Sequence, residues 1–531
     1  MGLTSGGAVI HRSRITEIEI PDVSLSEHVL RGAAARGDKP ALVDALTGEV
    51  LTYGQLAEQS AAGAAGLEAA GIGAGDVVSL MSHNQPQYAV AVHAIMLAGA
   101  VMSPLNPVLT VEEVAKQLRH SRSRALVVAE PVAAKGLEAA RIAGVENVYV
   151  LGEHPGCRPF ADLLAGPEAP PAFDLDPRSA LAALPYSSGT TGLPKGVMLT
   201  HRNLVANLEQ FRIGWRISEE DVFCAALPFF HIYGLMIILN SGLLAGATIV
   251  TLPRFDLRQF LAAVQEHRVT RGHLAPPLVL ALAEAPEAAE YDLSSMRTAV
   301  SGAAPLDEDL AARAQERTGC MIRQGYGMTE ASPGIHFVHD DDFAATAAGS
   351  VGRLMPATEA RMVDLDSGLD VSPGEPGELL VRGPQVMAGY LGDPDATAAT
   401  IVDGWLRTGD VACVDADGDF TIVDRVKELI KYKGYQVPPA ELEALLLTHP
   451  DIIDAAVIGV PDRSAGEIPK AFVVAREALD AESVMAWVDQ RVAPYKRVRA
   501  VEFVEQIPKS PAGKILRRVL RAQGSEAGAP R

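Results

Sequence analysis

The sequence predicts an α/β protein. It expects a large N-terminal domain of parallel sheets covered by helices, a small β-rich subdomain, and a small α+β C-terminal domain. Three observations carry this reading. Short apolar strands alternate with helical stretches through most of the chain, the texture changes to strands and turns around Val363–Gly389, and a fresh unit begins after Asp424. Alternation of strand and helix requires crossover connections, which lay helices over a parallel sheet.

The elements follow in order. Leu67–Asp76 ends a helix, Val77–Met81 is a strand, Tyr88–Ala98 a helix, and Val101–Pro104 another strand. Gly71-Ile-Gly-Ala-Gly75 follows a helix rather than a strand, so it is a helix stop and not a dinucleotide fingerprint. Leu181–Tyr186 is a short buried strand, Val197–Thr200 is a second apolar segment, and a helix starts near His201. Ala225–Pro253 holds no charged side chain. It divides into a helix, about Tyr233–Ala245, and a strand, about Thr248–Leu252, and is not read as a membrane span. Asp415–Gly418 turns a hairpin between Val411–Val414 and Phe420–Val423. Pro438-Pro439 leads a helix over Ala440–Thr448, with Glu441 and Glu443 as the acids of its first turn. The expected domains are 1–424 and 425–531.

Composition narrows the function. The 531 residues are 48% apolar and 21% charged, as in a globular protein with a large core. A net charge of −20 argues against nucleic acid or a membrane surface as partner. Cys157, Cys224, Cys320 and Cys413 lie far apart and show no metal-ligand spacing, so they are read as reduced thiols. Without a secretory opening or a peroxisomal end, a cytoplasmic location is expected.

The chemistry starts at Ser187-Ser188-Gly189-Thr190-Thr191-Gly192-Leu193-Pro194-Lys195-Gly196. Glycines let several backbone N–H groups converge on phosphate oxygens, hydroxyls add donors, and Lys195 adds a mobile charge. Pro194 and Gly196 occupy the places where a Walker loop needs glycine and a hydroxyl, which disfavours a P-loop enzyme. Downstream stand Gly325-Tyr-Gly-Met-Thr-Glu330, Gly404-Trp-Leu-Arg-Thr-Gly-Asp410, Asp424-Arg-Val-Lys-Glu-Leu-Ile-Lys-Tyr-Lys-Gly434 and Pro508-Lys-Ser-Pro-Ala-Gly-Lys514. Taken singly, Glu330 is a capping acid, Asp410 a turn residue and Lys514 a solvated lysine.

Taken in order, the set resembles the adenylate-forming superfamily: acyl-CoA synthetases, luciferases and peptide-synthetase adenylation domains. Phe230-His-Ile-Tyr233, Ser301-Gly-Ala-Ala-Pro305, Gln324–Ala331 and Lys431-Tyr-Lys-Gly-Tyr-Gln436 are most similar to the 4-coumarate:CoA ligase branch. The resemblance implies a two-step reaction with ATP, Mg²⁺ and CoA, through an acyl-adenylate. It implies that Ser187–Lys195 holds the β- and γ-phosphates, Glu330 ligates Mg²⁺, and Thr329 bonds the α-phosphate. Asp410 and Arg425 would hold the ribose, with Ala303, Gln324, Gly325, Tyr326 and Gly327 around the nucleotide. Lys514 would bridge carboxylate and α-phosphate during adenylation, and His231 would sit near the carboxylate and the CoA path. Rotation of the small domain about Lys427 would withdraw Lys514 and present Lys431 and Gln436, with Lys433 and Gly434 lining the CoA tunnel.

By the same resemblance, Ile232, Tyr233, Met236, Gly302, Ala303, Gly325, Gly327, Pro333, Gly334 and Ile335 line the acid pocket. No carboxylate is among them, which argues against an amino-acid substrate. Tyr233 is expected to offer stacking and a hydroxyl, and Gly334 to enlarge the distal pocket. Hydroxycinnamate and cinnamate lead as substrates. Benzoate-like and medium- or long-chain fatty acids, a luciferase-like oxidation and carrier-protein loading stay open.

Overall fold

The computed structural model describes residues 9–165, 175–187, 194–347, 349–372, 374–433, 435–462, 465–477, 479–510, 513–517 and 519–521. Strand counts refer to these residues. One nine-stranded sheet runs Tyr186–Ser187, Lys195–Thr200, Leu181–Ala183, Val101–Leu105, Val77–Met81, Ser123–Ala129, Asn147–Leu151, Arg158–Pro159, with Gly389–Tyr390 beside Lys195–Thr200. It is parallel from Leu181–Ala183 to Arg158–Pro159 and antiparallel around Lys195–Thr200. A seven-stranded sheet runs Met321–Gln324, Thr298–Ser301, Arg271–Leu274, Val222–Ala225, Thr248–Thr251, Pro40–Asp44, Val50–Thr52. Only its last pair is antiparallel.

The β-rich region is a six-stranded sheet of antiparallel pairs built on Glu359–Val363, Gly377–Arg382, Trp405–Val414 and Phe420–Arg425. A separate five-stranded sheet, centred on Ile452–Asp462 and Gly466–Ala475, organises the C-terminal region. The helices Pro439–Leu447 and Ala481–Asp489 pack into its core through Leu442, Leu446, Val484 and Val488. The parallel sheets with covering helices therefore match the expected fold class.

The largest core joins the first two sheets through the buried helices Tyr53–Ala69 and Pro86–Leu97 and the Leu235–Leu239 stretch. Burying one large apolar side chain contributes about 1.5–3 kcal/mol, so this shared interior keeps the two sheets in fixed relation. Thr200 caps the helix His201–Gly214 by accepting from Asn203 N–H while Asn203 answers the backbone of Thr200, which sets where Lys195–Thr200 ends.

Local expectations differ in four places. Leu181–Tyr186 is interrupted: the strand ends at Ala183 and pairing resumes at Tyr186, because Pro185 has no N–H to donate. The helix expected over Tyr233–Ala245 is π-helical over Tyr233–Asn240 and α-helical over Ser241–Ala245. The Asn240 side chain donates to Leu235 O at 2.7 Å, which supports the wider turn. Glu443 is not a solvated first-turn acid: it is buried, accepts from Val457 N–H and is gripped by Arg517 at 2.6 Å. Gly334 does not enlarge a pocket, because a Cβ there would lie 2.6 Å from both Phe211 Cζ and Met355 Sδ. Neighbouring side chains already occupy the space that its missing side chain leaves.

The cysteines are free, with Cys224 and Cys320 buried. Burial pushes both thiols up to about 12, so they stay protonated and inert. Among the described residues, no helix is long and apolar enough to cross a membrane.

Candidate active site

Strand pairing builds the phosphate side. Ser187 lies opposite Lys195, so the two ends of the glycine-rich loop emerge together. Ser188, Gly189, Thr190, Thr191 and Gly192 lie outside the described residues. Glu330, in the short helix Thr329–Ala331, faces this loop base and is buried. Its Oε1 accepts from Ser187 Oγ and from the Tyr390 hydroxyl, each at 2.9 Å. The Lys195 ammonium sits 4.9 Å from the Tyr390 ring centre, a cation–π contact on the same group. Tyr390 was not anticipated: one tyrosine among eleven carries no local signal, and only the pairing of Gly389–Tyr390 with Val197–Met198 brings it here.

The expected ribose side is a second paired assembly. Asp410 and Arg425 are register partners on adjacent strands. Arg425 Nε lies 3.1 Å from Asp410 Oδ1, and the Tyr326 hydroxyl donates to Oδ2 at 2.6 Å. Burial pushes the Asp410 carboxyl up, while Arg425 and the tyrosine hydrogen bond oppose that shift. Each carboxylate oxygen keeps a further lone pair for a hydroxyl of the ligand. Gln324 Oε1 accepts from Leu306 N–H at 2.8 Å and so braces the Gly302–Leu306 turn, in which Ala303 takes a left-handed φ of 73°.

Lys514 joins this side from the C-terminal region. The Cβ position of Gly513 lies 2.8 Å from Pro277, so the loop presses on the first turn of the helix Pro276–Glu284, just after the strand Arg271–Leu274. Arg425, Glu428, Asp410 and Arg517 all lie within electrostatic reach of the Lys514 ammonium. Burial, helped by the nearby arginines, lowers its pKa to about 8. Two further contacts hold the regions together. Ala440 N–H donates to Asp424 at 2.9 Å, and Arg476 pairs with Glu284 at 3.2 Å. Arg517 clamps Glu428 and Glu443 at 2.6 Å each, a buried network that the motifs did not reveal.

His231 opens the acid side. Its Nδ1 accepts from Tyr233 N–H at 3.3 Å, which leaves Nε2 as the donor. Burial lowers its pKa to about 4, so the ring is neutral. Tyr233, Ile232, Met236 and Ile335 are buried. The Tyr233 hydroxyl donates to Val300 O at 3.0 Å, so its proton is not on offer as expected. Its ring closes on Gly302, where a Cβ would lie 2.9 Å from Cε1. Gly327 passes so close to Pro333 O that a Cβ would lie 2.0 Å away. Asn207 holds both the N–H and the C=O of Gly334, at 3.0 and 3.2 Å, which pins the loop after Ser332.

Other expected site residues lie elsewhere. Lys431 and Gln436 pair with each other on an exposed hairpin, Lys433 is exposed at its turn, and Lys427 is exposed. No hydrogen bond or ion pair among the described residues links them to Glu330, Asp410 or Lys514. Gly434 lies outside the described residues.

Among the described residues, no cluster of three or more histidine, cysteine or acidic side chains forms a metal cage. Magnesium takes one or two carboxylates and completes its shell with phosphate oxygens and water. The single hard carboxylate of Glu330 fits that ion.

Comparison with known proteins agrees with this geometry. The AMP-binding enzyme family matches residues 29–391, and its C-terminal domain family matches residues 441–514. The chain is 42% identical over 526 residues to 4-coumarate–CoA ligase 3 of Oryza sativa subsp. japonica, covering 97% of this chain and 95% of that one. It is 41% identical over 535 residues to 4-coumarate–CoA ligase 1 of Petroselinum crispum, covering 98% of each. Its fold superposes with a TM-score of 0.88, at 29% identity, on the anthranilate CoA ligase AuaEII in complex with anthranoyl-AMP, covering 96% of this chain and 98% of that one. The carboxylate-and-lysine site between two sheet systems, together with these matches, means that the chain belongs to the AMP-binding enzyme family.

Proposed function

We propose that the protein is an ATP-dependent carboxylate:CoA ligase acting on aryl acids of the hydroxycinnamate or cinnamate type. The observation that carries this reading is Lys514, inserted beside Asp410 and Arg425 from a loop of the C-terminal region. In the first step a carboxylate oxygen of the acid attacks the α-phosphorus of ATP, and the bond to the β-phosphate oxygen breaks to release pyrophosphate. In the second, the CoA sulfur attacks the acyl carbon and AMP leaves.

An anion attacking a polyanion needs positive charge and donors aimed at the transferring group. Lys514 supplies charge at the carboxylate and α-phosphate, Lys195 and Ser187 donate toward the outer phosphates, and Thr329 bonds the α-phosphate. Asp410 accepts from the ribose, with Arg425 beside it. Glu330 would hold Mg²⁺, which neutralises charge on the departing phosphates. Neutral His231 donates Nε2–H toward the acid's carboxylate.

The second step needs an approach for the thiol where Lys514 stands. We place a domain boundary at 424/425 with Lys427 as hinge, so that rotation retracts Lys514 and brings Lys431, Lys433 and Gln436 to the site. The exposed hairpin at Lys431–Gln436 and the inserted Lys514 suit the adenylation orientation. The packed surroundings of Gly334 favour a short aryl acid over a long chain. A cytoplasmic setting suits the free thiols.

The test is pyrophosphate release across aryl and fatty acids, with and without CoA. Release with hydroxycinnamates and a CoA-dependent thioester are the expected results. ATP binding without acid-dependent pyrophosphate release would defeat the proposal.

A further inference from the structure

We infer that His273 is a specificity-determining residue, whose imidazole hydrogen-bonds a neutral polar group at the end of the acid remote from its carboxylate. This rests on the ligase reading above and deepens it. His273 lies on the strand Arg271–Leu274, whose end Ala275 is covered by Gly513, one residue before Lys514. Lys514 marks where the acid's carboxylate is handled. His273 stands two residues back from Ala275, about 7 Å deeper along the strand.

Its register partner is Val300 on the neighbouring parallel strand, so the two side chains share a face. Val300 is only partly buried although its strand is interior to the sheet, which leaves room on that face. Gly325, whose Cβ position lies 3.4 Å from Val300 Cγ1, places no side chain over it.

The other groups around this ring have spent their polar atoms. Tyr233 gives its hydroxyl proton to Val300 O, and Trp215 gives its indole N–H to Val338 O at 3.1 Å. Phe223, Trp215 and Tyr233 surround the imidazole with centroids at 4.8, 6.0 and 6.2 Å. Arg271, two residues earlier on the same face, is engaged by Asp221 and Asp340. His273 itself is 3% exposed, and neither ring nitrogen has a hydrogen-bond partner among the described residues. Among the described residues His336 is the other histidine with two unpartnered nitrogens, but it packs against Phe420 and Tyr326, beside Asp410.

Burial, with Arg271 nearby, lowers the His273 pKa to about 3, so the ring is neutral. A neutral imidazole offers one donor and one acceptor, the complement of a hydroxyl. A second carboxylate or an ammonium would bring an unpaired charge into this apolar setting. The fitting substrate is therefore an acid with a hydroxyl at its far end.

The test compares kcat/KM for 4-hydroxycinnamate and cinnamate in the wild type, His273→Phe and His273→Gln. Phenylalanine keeps the ring shape without polar atoms, and glutamine keeps a donor and an acceptor. The hydroxyl-to-plain ratio is expected to fall about tenfold in His273→Phe and to be restored within about threefold by His273→Gln. A ratio unmoved in His273→Phe, or lost equally in both variants, overturns the assignment. If the phenylalanine variant does not fold, a wild-type crystal with bound 4-hydroxycinnamate decides: a distal oxygen within hydrogen-bond reach of the imidazole supports the role, and one beyond it ends the proposal. If the wild type activates fatty acids but no aryl acid, the aryl-acid reading fails separately. The role of His273 is then read from the ratio of ω-hydroxy to plain fatty acid.

Discussion

The proposed nucleotide side and the proposed acid side of the site are built by opposite means. On the nucleotide side, the carboxylates of Glu330 and Asp410 are held by named donors: Ser187 and Tyr390 for one, Tyr326 and Arg425 for the other. On the proposed acid side, close approaches at Gly302 and Gly327 and packed apolar groups dominate, and His273 has no hydrogen-bond partner among the described residues. The difference follows from the ligands. A triphosphate presents the same charges in every turnover, so its partners are best fixed before it arrives. An acid is distinguished by shape and by few polar atoms, so its pocket is mostly steric.

The largest expected effect tests the charged side. Lys514→Ala should slow adenylation about a hundred- to a thousandfold, or roughly 3–4 kcal/mol, while thioester formation from supplied acyl-adenylate survives. Stopped-flow measurement of the two half-reactions separates them, and an equal fall in both would contradict the hinge assignment.

A smaller effect should appear with pH. Lysine is charged below its pKa, and Lys514 is lowered to about 8. Its contribution to adenylation is therefore present below about pH 8 and lost above it, by about tenfold per pH unit in kcat/KM. In Lys514→Arg the alkaline fall should vanish, because guanidinium stays charged. A fall retained in the arginine variant would mean that another group titrates.

On the acid side, Gly334→Ala should destabilise the protein by about 1–3 kcal/mol, since the new methyl meets Phe211 and Met355 at 2.6 Å. Chemical denaturation reads this, and an unchanged midpoint would mean that both side chains yield freely. The smallest effect returns to the nucleotide side. Tyr390→Phe removes one of the two hydroxyls on Glu330 and should cost about 1 kcal/mol, seen as a severalfold rise in the Mg²⁺–ATP requirement. A Mg²⁺ titration of the variant that matches the wild type would leave Tyr390 a packing residue only.

Legibility in the sequence divided along the same line. Strand and helix alternation, the helix start near His201 and the hairpin at Asp415–Gly418 were readable because they depend on neighbours in sequence. Glu330, Asp410, Arg425 and Lys514 were singled out only by the ordered motifs that hold them and the resemblance those motifs carry, since Glu330, Asp410 and Lys514 taken singly have ordinary readings. Tyr390, Arg517 and His273 were not, since each is an ordinary residue until a distant strand gives it a partner or withholds one. Gly334 misled for the same reason: an absent side chain reads as space, and only packing shows who fills it.

By itself, then, the sequence determined the α/β class, the order of the motifs and the family's reaction. Local periodicity and catalytic residue types are written in short stretches of chain. The tertiary structure alone decided that Glu330 leans on Tyr390, that Lys514 is inserted beside Asp410, and that His273 lies buried next to Tyr233 with no hydrogen-bond partner among the described residues. Those facts depend on which strands become neighbours, and contacts between residues far apart in the chain exist only once the sheets have closed on their common core.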